Sequence, residues 1–240
     1  MASLAALAAI WCLTAGAAGA QIPDFELPEG LGLSERVVQL FLLVTVLSLV
    51  PGLAVMVTCF PFIVTVLAIL RQGLGLQSSP PNMLLISLAL FLTYFVMEPV
   101  FLEAWETGIR PLTEGTLAPD AALTATLDPF RVFMAGRVDP DTFASLSDMR
   151  GGPADPPVPG SPLSILLPSF MLSEIERAFE IGFLIFLPFL IIDLVVAAIL
   201  MSMGMMMVPP AIVALPFKLA FFVVADGWTL VSRALVEGYF

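Results

Sequence analysis

A chain of 240 residues that is 59% hydrophobic, 12% charged and +1.03 in mean hydropathy stands apart from soluble domains, which carry about 25% charged residues. Its net charge of −11, with nine Lys and Arg scattered singly, excludes the basic surfaces that bind nucleic acid or anionic lipid. With no histidine, His-based acid–base catalysis, the usual nucleophilic triads and most zinc sites fall away, so no catalytic residue, metal site or cofactor is expected.

Residues 1–20, MASLAALAAIWCLTAGAAGA, are apolar and close on Ala18-Gly19-Ala20, the small-x-small pattern of a secretory leader cut before Gln21, although no Lys or Arg follows Met1. Cys12 leaves with that leader. Cys59 then remains as a single thiol, read as a small buried hydrophobe. Residues 21–36 are acidic and rich in turn formers, and read as an exposed arm on the outer side of the membrane.

From Val37 to Leu70 no charge occurs for 34 positions. A straight helix of that length would run about 51 Å, against a hydrocarbon core of about 30 Å. The run therefore holds a kinked and tilted helix or a tight hairpin, with Pro51, Gly52 and Pro61 as the expected helix breaks. Arg71 to Asn82 supplies turn chemistry, and Met83 to Leu102 forms a second span with Glu98-Pro99 near its far end. Residues 37–102 are read as a first hydrophobic hairpin.

Residues 103–170 read as an acidic, Pro-rich region outside the bilayer. Ten acids face four arginines between Glu98 and Asp155, and ten prolines fall between Pro99 and Pro162. Loops this poor in Lys and Arg are translocated outward. Asp128-Pro129 predicts a helix start, and RGGPADPPVPGSP at 150–162 predicts a linker.

Residues 171–240 are read as a second hydrophobic hairpin. Ser173 is the expected N-cap, and Glu174, Arg177 and Glu180 share one helical face at i,i+3 spacing. Asp193 stands alone in FLIIDLVVAAIL, where a central carboxylate costs about 2.5 to 3.5 kcal/mol, so it needs a partner. Lys218, the only lysine, is the candidate, and Glu174 competes for it. Between the two runs, five of the 12 methionines fall in seven residues, MSMGMMM, before Val208 and the helix-ending Pro209-Pro210. Met205, Met206 and Met207 fit a deformable closure, although on the residues alone an ordinary buried apolar turn is the stronger reading; copper ligation fits less well, with no Cys or His nearby. Trp228 and Tyr239 suit an interface. Four crossings with an outward N-terminus would put Arg71 inside, and the acidic region and the C-terminus outside.

LRQGLGLQSSPPNMLLISLALFLTYFVMEPV (70–100), DPFRVFM (128–134), SEIERAFEIGFLIFLPFLIIDLVVAAILMSMGMMMVPP (173–210) and LPFKLAFFVVADGW (215–228) together resemble the FliP/SctR family of type III secretion export-gate proteins. The resemblance covers most of the mature chain. It implies an all-α integral membrane protein of about four hydrophobic helical segments, assembled as five copies with FliQ-like and FliR-like subunits into a conical oligomeric gate at the flagellar basal body of the inner membrane. Much of that assembly would lie on the periplasmic side. It implies that Met205, Met206 and Met207 line the closed pore and that exported flagellar proteins are the substrates; from the residues themselves, Glu174, Arg177, Asp193 and Lys218 are expected to make contacts between helices or subunits. The leader and the acidic region favour the flagellar branch over the injectisome branch. Cys59-Phe60-Pro61 departs from the more polar family pattern. From the residues alone, an ion-coupled transporter using Asp193 and a scaffold without a pore remain open.

Overall fold

The computed structural model describes residues 33–240 apart from 77–78, 153–155, 206 and 240; the expected leader, Cys12 and most of the 21–36 arm lie outside the described residues. Among the described residues every regular element is a helix, as the all-α reading requires. Two units are distinguished, Met1–Ser48 and Leu49–Phe240, and of the first only the opening of helix α1 is described.

Helix α1 (Leu33–Met56) contains Val37–Met56, an apolar candidate span with no buried residue among those whose side chains are described. It runs on through Pro51-Gly52, so the expected break there is corrected: a proline removes one helical hydrogen bond, and a long helix can continue past it. The break falls instead after Met56. Thr58 diverts the backbone, its hydroxyl donating to the Val55 carbonyl (2.9 Å) and accepting the Phe60 N–H (3.4 Å). Pro61 then sits in the first turn of α2 (Phe60–Gly73), where its missing N–H costs nothing.

Helix α2 is the centre of the larger unit. Phe62, Ile63, Val66, Leu67 and Leu70 repeat at helical spacing, and with Cys59 they are buried against α3 (Asn82–Ala104) and α7 (Leu163–Ser202). Two glycines permit close approach. A Cβ on Gly182 of α7 would lie 2.4 Å from the Ile69 side chain, and one on Gly108 would lie 2.7 Å from the Thr126 backbone nitrogen.

Helix α3 does not end at Leu102. A π-helical turn (Trp105–Ile109) and the short α4 (Arg110–Thr113) extend it, giving an apolar stretch of 32 residues, Asn82–Thr113. Helix α5 (Pro119–Ala135) also corrects an expectation, because Asp128 and Pro129 lie inside it. Pro119, with Asp120 beside it, takes the first-turn position well upstream. Helix α6 (Pro140–Asp148) is capped by Asp139, whose Oδ2 accepts the Thr142 N–H at 2.8 Å.

Helix α7 spans 40 residues, about 60 Å at 1.5 Å per residue, and passes through Pro168 and Pro188. Ser173, expected as its cap, lies well inside. Ile165, Leu166 and Phe170 pack with Met134, Val138 and Phe143 in a second core cluster, so the helix begins at Leu163. Helices α8 (Pro210–Val224) and α9 (Gly227–Glu237) meet at a 64° bend where Asp226 adopts φ 50. By length and composition, three helices among the described residues could cross a bilayer, or four if the bent pair forms one span.

Candidate functional site: a methionine turn and two buried charge groups

The methionine segment is a helix terminus of defined geometry. The Met205 N–H donates to the Leu200 carbonyl and the Gly204 N–H to the Met201 carbonyl, both at 3.0 Å, with Gly204 left-handed at φ +78. This is the Schellman pattern, in which glycine takes the conformation that a Cβ would strain. Pro209 and Pro210 then start α8, so the turn is held between a capped helix end and a proline helix start. Met207 is 97% exposed and Met205 38%, while Met206 lies outside the described residues. Behind the turn, Ala214 packs on Val196 and Leu200, and an apolar groove of about 400 Å³ lined by Ile192, Val195 and Phe217 runs between α7 and α8.

Lower on the same helix pair, the Lys218 ammonium lies 2.5 Å from Asp193 Oδ2 and donates to the Gly73 carbonyl at 3.0 Å. One buried lysine thus joins α8 to α7 and to the C-terminal end of α2, where the helix dipole favours a cation. The Gly73 carbonyl has no sequence signal, because it is defined only by where α2 ends.

Glu174 does not compete for Lys218. It is fully buried in a second group, where Arg137 Nε donates to Oε1 at 3.1 Å and Arg177 Nη1 lies at 3.4 Å. The Tyr239 hydroxyl donates to Oε2. Arg137 also donates to the Gly238 carbonyl (2.7 Å) and stacks over the Tyr239 ring at 4.0 Å, while Phe62 meets that ring edge-on. Burial, then the Glu174 charge, pushes the Tyr239 phenol far above its ordinary value, so it stays a hydrogen-bond donor. Ser173 ties α7 to the start of α6, donating to the Ser169 carbonyl (2.8 Å) and accepting the Asp139 N–H (2.9 Å).

Sequence reasoning missed Arg137 and placed Tyr239 at an interface. The only available signal was the need of Glu174 for a cation. Arg137 lies 37 residues away, and no helical spacing links the two.

With the geometry established, comparison with known proteins adds the family. A family model described as the FliP family matches residues 43–235. The chain belongs to the FliP family. The flagellar biosynthetic protein FliP of Caulobacter vibrioides is 50% identical over 98% of this chain and 90% of its own length. Those of Agrobacterium fabrum and Bacillus subtilis are 48% and 44% identical, covering 85% and 84% of this chain and 84% and 91% of their own. The FliP match takes in the methionine turn, Glu174, Arg177, Asp193 and Lys218, and stops short of Tyr239.

Proposed function

We propose that this chain is a core subunit of the flagellar type III export gate in the bacterial inner membrane, forming with further copies of itself the channel for unfolded flagellar proteins. Membership of the FliP family supports the flagellar role, and the long, uncovered apolar helices support a membrane-embedded assembly. On the family pattern, five copies join FliQ-like and FliR-like subunits, with much of the assembly on the periplasmic side. Its work is conduction and closure, not catalysis.

The observation that carries this reading is the methionine turn. Met205 and Met207 project from a backbone fixed by the Gly204 cap and Pro209-Pro210, and their own chain leaves them exposed. Several such turns around an axis would bring flexible, polarizable side chains together as a seal that yields to a passing chain. Met206 belongs to the same proposed gasket. The Lys218–Asp193 pair and the Glu174 group would hold the hairpin that carries the turn, and pairing of Asp193 favours packing over ion carriage.

Replacing Met205, Met206 and Met207 together by Ala tests it. The expected mutant assembles its basal body normally but leaks small solutes or ions across the inner membrane. A tight, fully motile mutant would remove the pore assignment.

A further inference from the structure

Lys218 does more than neutralise Asp193. Helix α2 ends in the same glycine-capped way as α7, with the Leu76 N–H donating to the Arg71 carbonyl (3.4 Å) and the Gly75 N–H to the Gln72 carbonyl (3.0 Å), Gly75 being left-handed at φ +76. That cap does not use the Gly73 carbonyl, and the Lys218 ammonium donates to it instead. One donor therefore fixes Lys218 to the body of the subunit, and a second reaches Asp193 Oδ2. Asp193 Oδ1 is also buried and has no hydrogen-bond partner among the described residues. The carboxylate thus offers two acceptors and uses one.

Prolines mark the base of the hairpin that carries the pair. Pro188 lies inside α7 ahead of Asp193, and Pro216 lies inside α8 ahead of Lys218. Each removes one helical hydrogen bond, and such points are where helices bend. Beyond them the distal part of α7, the methionine turn and the start of α8 form a hairpin packed on itself through Val196, Leu200 and Ala214. At the base, Phe189 and Phe222 belong to the main core. Asp193 rides on the hairpin, whereas Lys218 follows Pro216 and stays with the core.

We propose that Lys218, Asp193 and Gly73 form a two-position clasp for the hairpin carrying the methionine turn. Lys218 stays on the Gly73 carbonyl while Asp193 presents either Oδ2, as seen here, or Oδ1, with Pro188 and Pro216 as the pivots. Both positions keep one charge-assisted hydrogen bond, and an ammonium on a flexible stem with rotatable donors follows the exchange without releasing Gly73. The pivot magnifies the movement. Asp193 stands about 7.5 Å along α7 from Pro188 and Gly204 about 24 Å, so a shift of about 2 Å, from one carboxylate oxygen to the other, moves the turn by about 6 Å. A closure that opens and reseals needs two such held positions. The inference rests on the export-gate reading and names the residues that switch it.

The test measures export of flagellar proteins per assembled basal body in cells carrying the full chain. Lys218→Arg keeps the charge, but its planar fork grips both carboxylate oxygens at once and merges the two positions. Pro188→Ala with Pro216→Ala restores helical hydrogen bonds and stiffens the pivots. Each variant should build basal bodies and keep the inner membrane tight, yet export at about one-tenth of the normal rate, the scale of one net hydrogen bond broken at each opening. The proline variant should also unfold at no lower temperature than the native chain, a combination that a purely structural role does not produce. Normal export in the proline variant, or in a Lys218→Arg variant that assembles, overturns the clasp, and so does failure of both to assemble. The methionine substitutions separate the two readings. If they leak while both clasp variants export normally, the gate stands without the clasp; if they are tight and fully motile, the gate reading fails and the clasp falls with it.

Discussion

The two halves of α7 use the same kind of sequence to different ends. From Leu163 to Phe189 the helix packs against its own chain, with Leu166, Phe170, Glu174, Ala178 and Gly182 pressed into α2, α5 and α6. From Leu190 to Ser202 it keeps only a narrow seam with α8, and Ile191, Leu194, Val195 and Ile199 stay exposed. Both halves carry long apolar runs, so hydrophobicity alone does not separate them. The difference lies in small and polar residues. Gly182 lets α2 approach closely, and Glu174 fixes Arg137 and Tyr239, whereas the distal half offers only Asp193, answered by Lys218 from the adjacent helix. One half of the helix belongs to the subunit, and the other is left for neighbours or lipid.

The sharpest way to break this contrast is at Glu174. Glu174→Ala leaves the half-buried Arg137 guanidinium without its counter-charge, and loss of one member of a buried pair costs at most about 3–5 kcal/mol. Thermal unfolding of the detergent-solubilised chain should show that loss, and a shift within error would mean the proximal half is not held by its charge group. Gly182→Ala comes next, at about 1–3 kcal/mol for overpacking against Ile69. Adding Ile69→Val removes the nearest atom, so the double variant should lose less than the sum of the singles. Strict additivity would argue that the close approach is not the constraint.

Asp139 gives a gentler test through pH. The Thr142 N–H and hydroxyl hold its carboxyl below the ordinary carboxylate value. Because the folded-state value is depressed, the stabilisation is complete above the unfolded value and is lost as pH falls through the folded one. Unfolding followed from about pH 6 to about pH 3 should show an acid decline that Asp139→Ser, a cap that does not titrate, makes shallower. An unchanged slope would take Asp139 out of the acid response.

These tests bear on features that sequence reading reached unequally. The all-α class and the apolar segments were legible because hydrophobic runs and turn residues are local signals. The ends of α5 and α7 were not, because the first candidate cap was not the one used: Asp128-Pro129 and Ser173 both lie inside helices whose starts were set by Pro119 and by the packing of Ile165 and Leu166. Pro51 was overvalued as a break and Thr58 passed over, since a hydroxyl that competes for backbone groups leaves little compositional trace. Asp193 advertised its need for a cation within a short hairpin. Arg177, one partner of Glu174, was legible at i,i+3 spacing, but Arg137 and Tyr239 arrive from a distant loop and from the last described residues, so only the folded chain reveals them.

The smallest expected effect belongs to the distal half, and it is the most discriminating. If the chain truly leaves this region to others, then Leu194→Ala, or Met205→Ala with Met207→Ala, removes contacts that the isolated subunit does not make. Each should change unfolding of the solubilised chain by less than about 0.5 kcal/mol, the range of surface substitutions. The same variants, measured in the assembled basal body, should alter gate closure or subunit association. A large loss in the isolated chain would show that the distal hairpin is packed by its own subunit, and α7 would then have one role along its whole length.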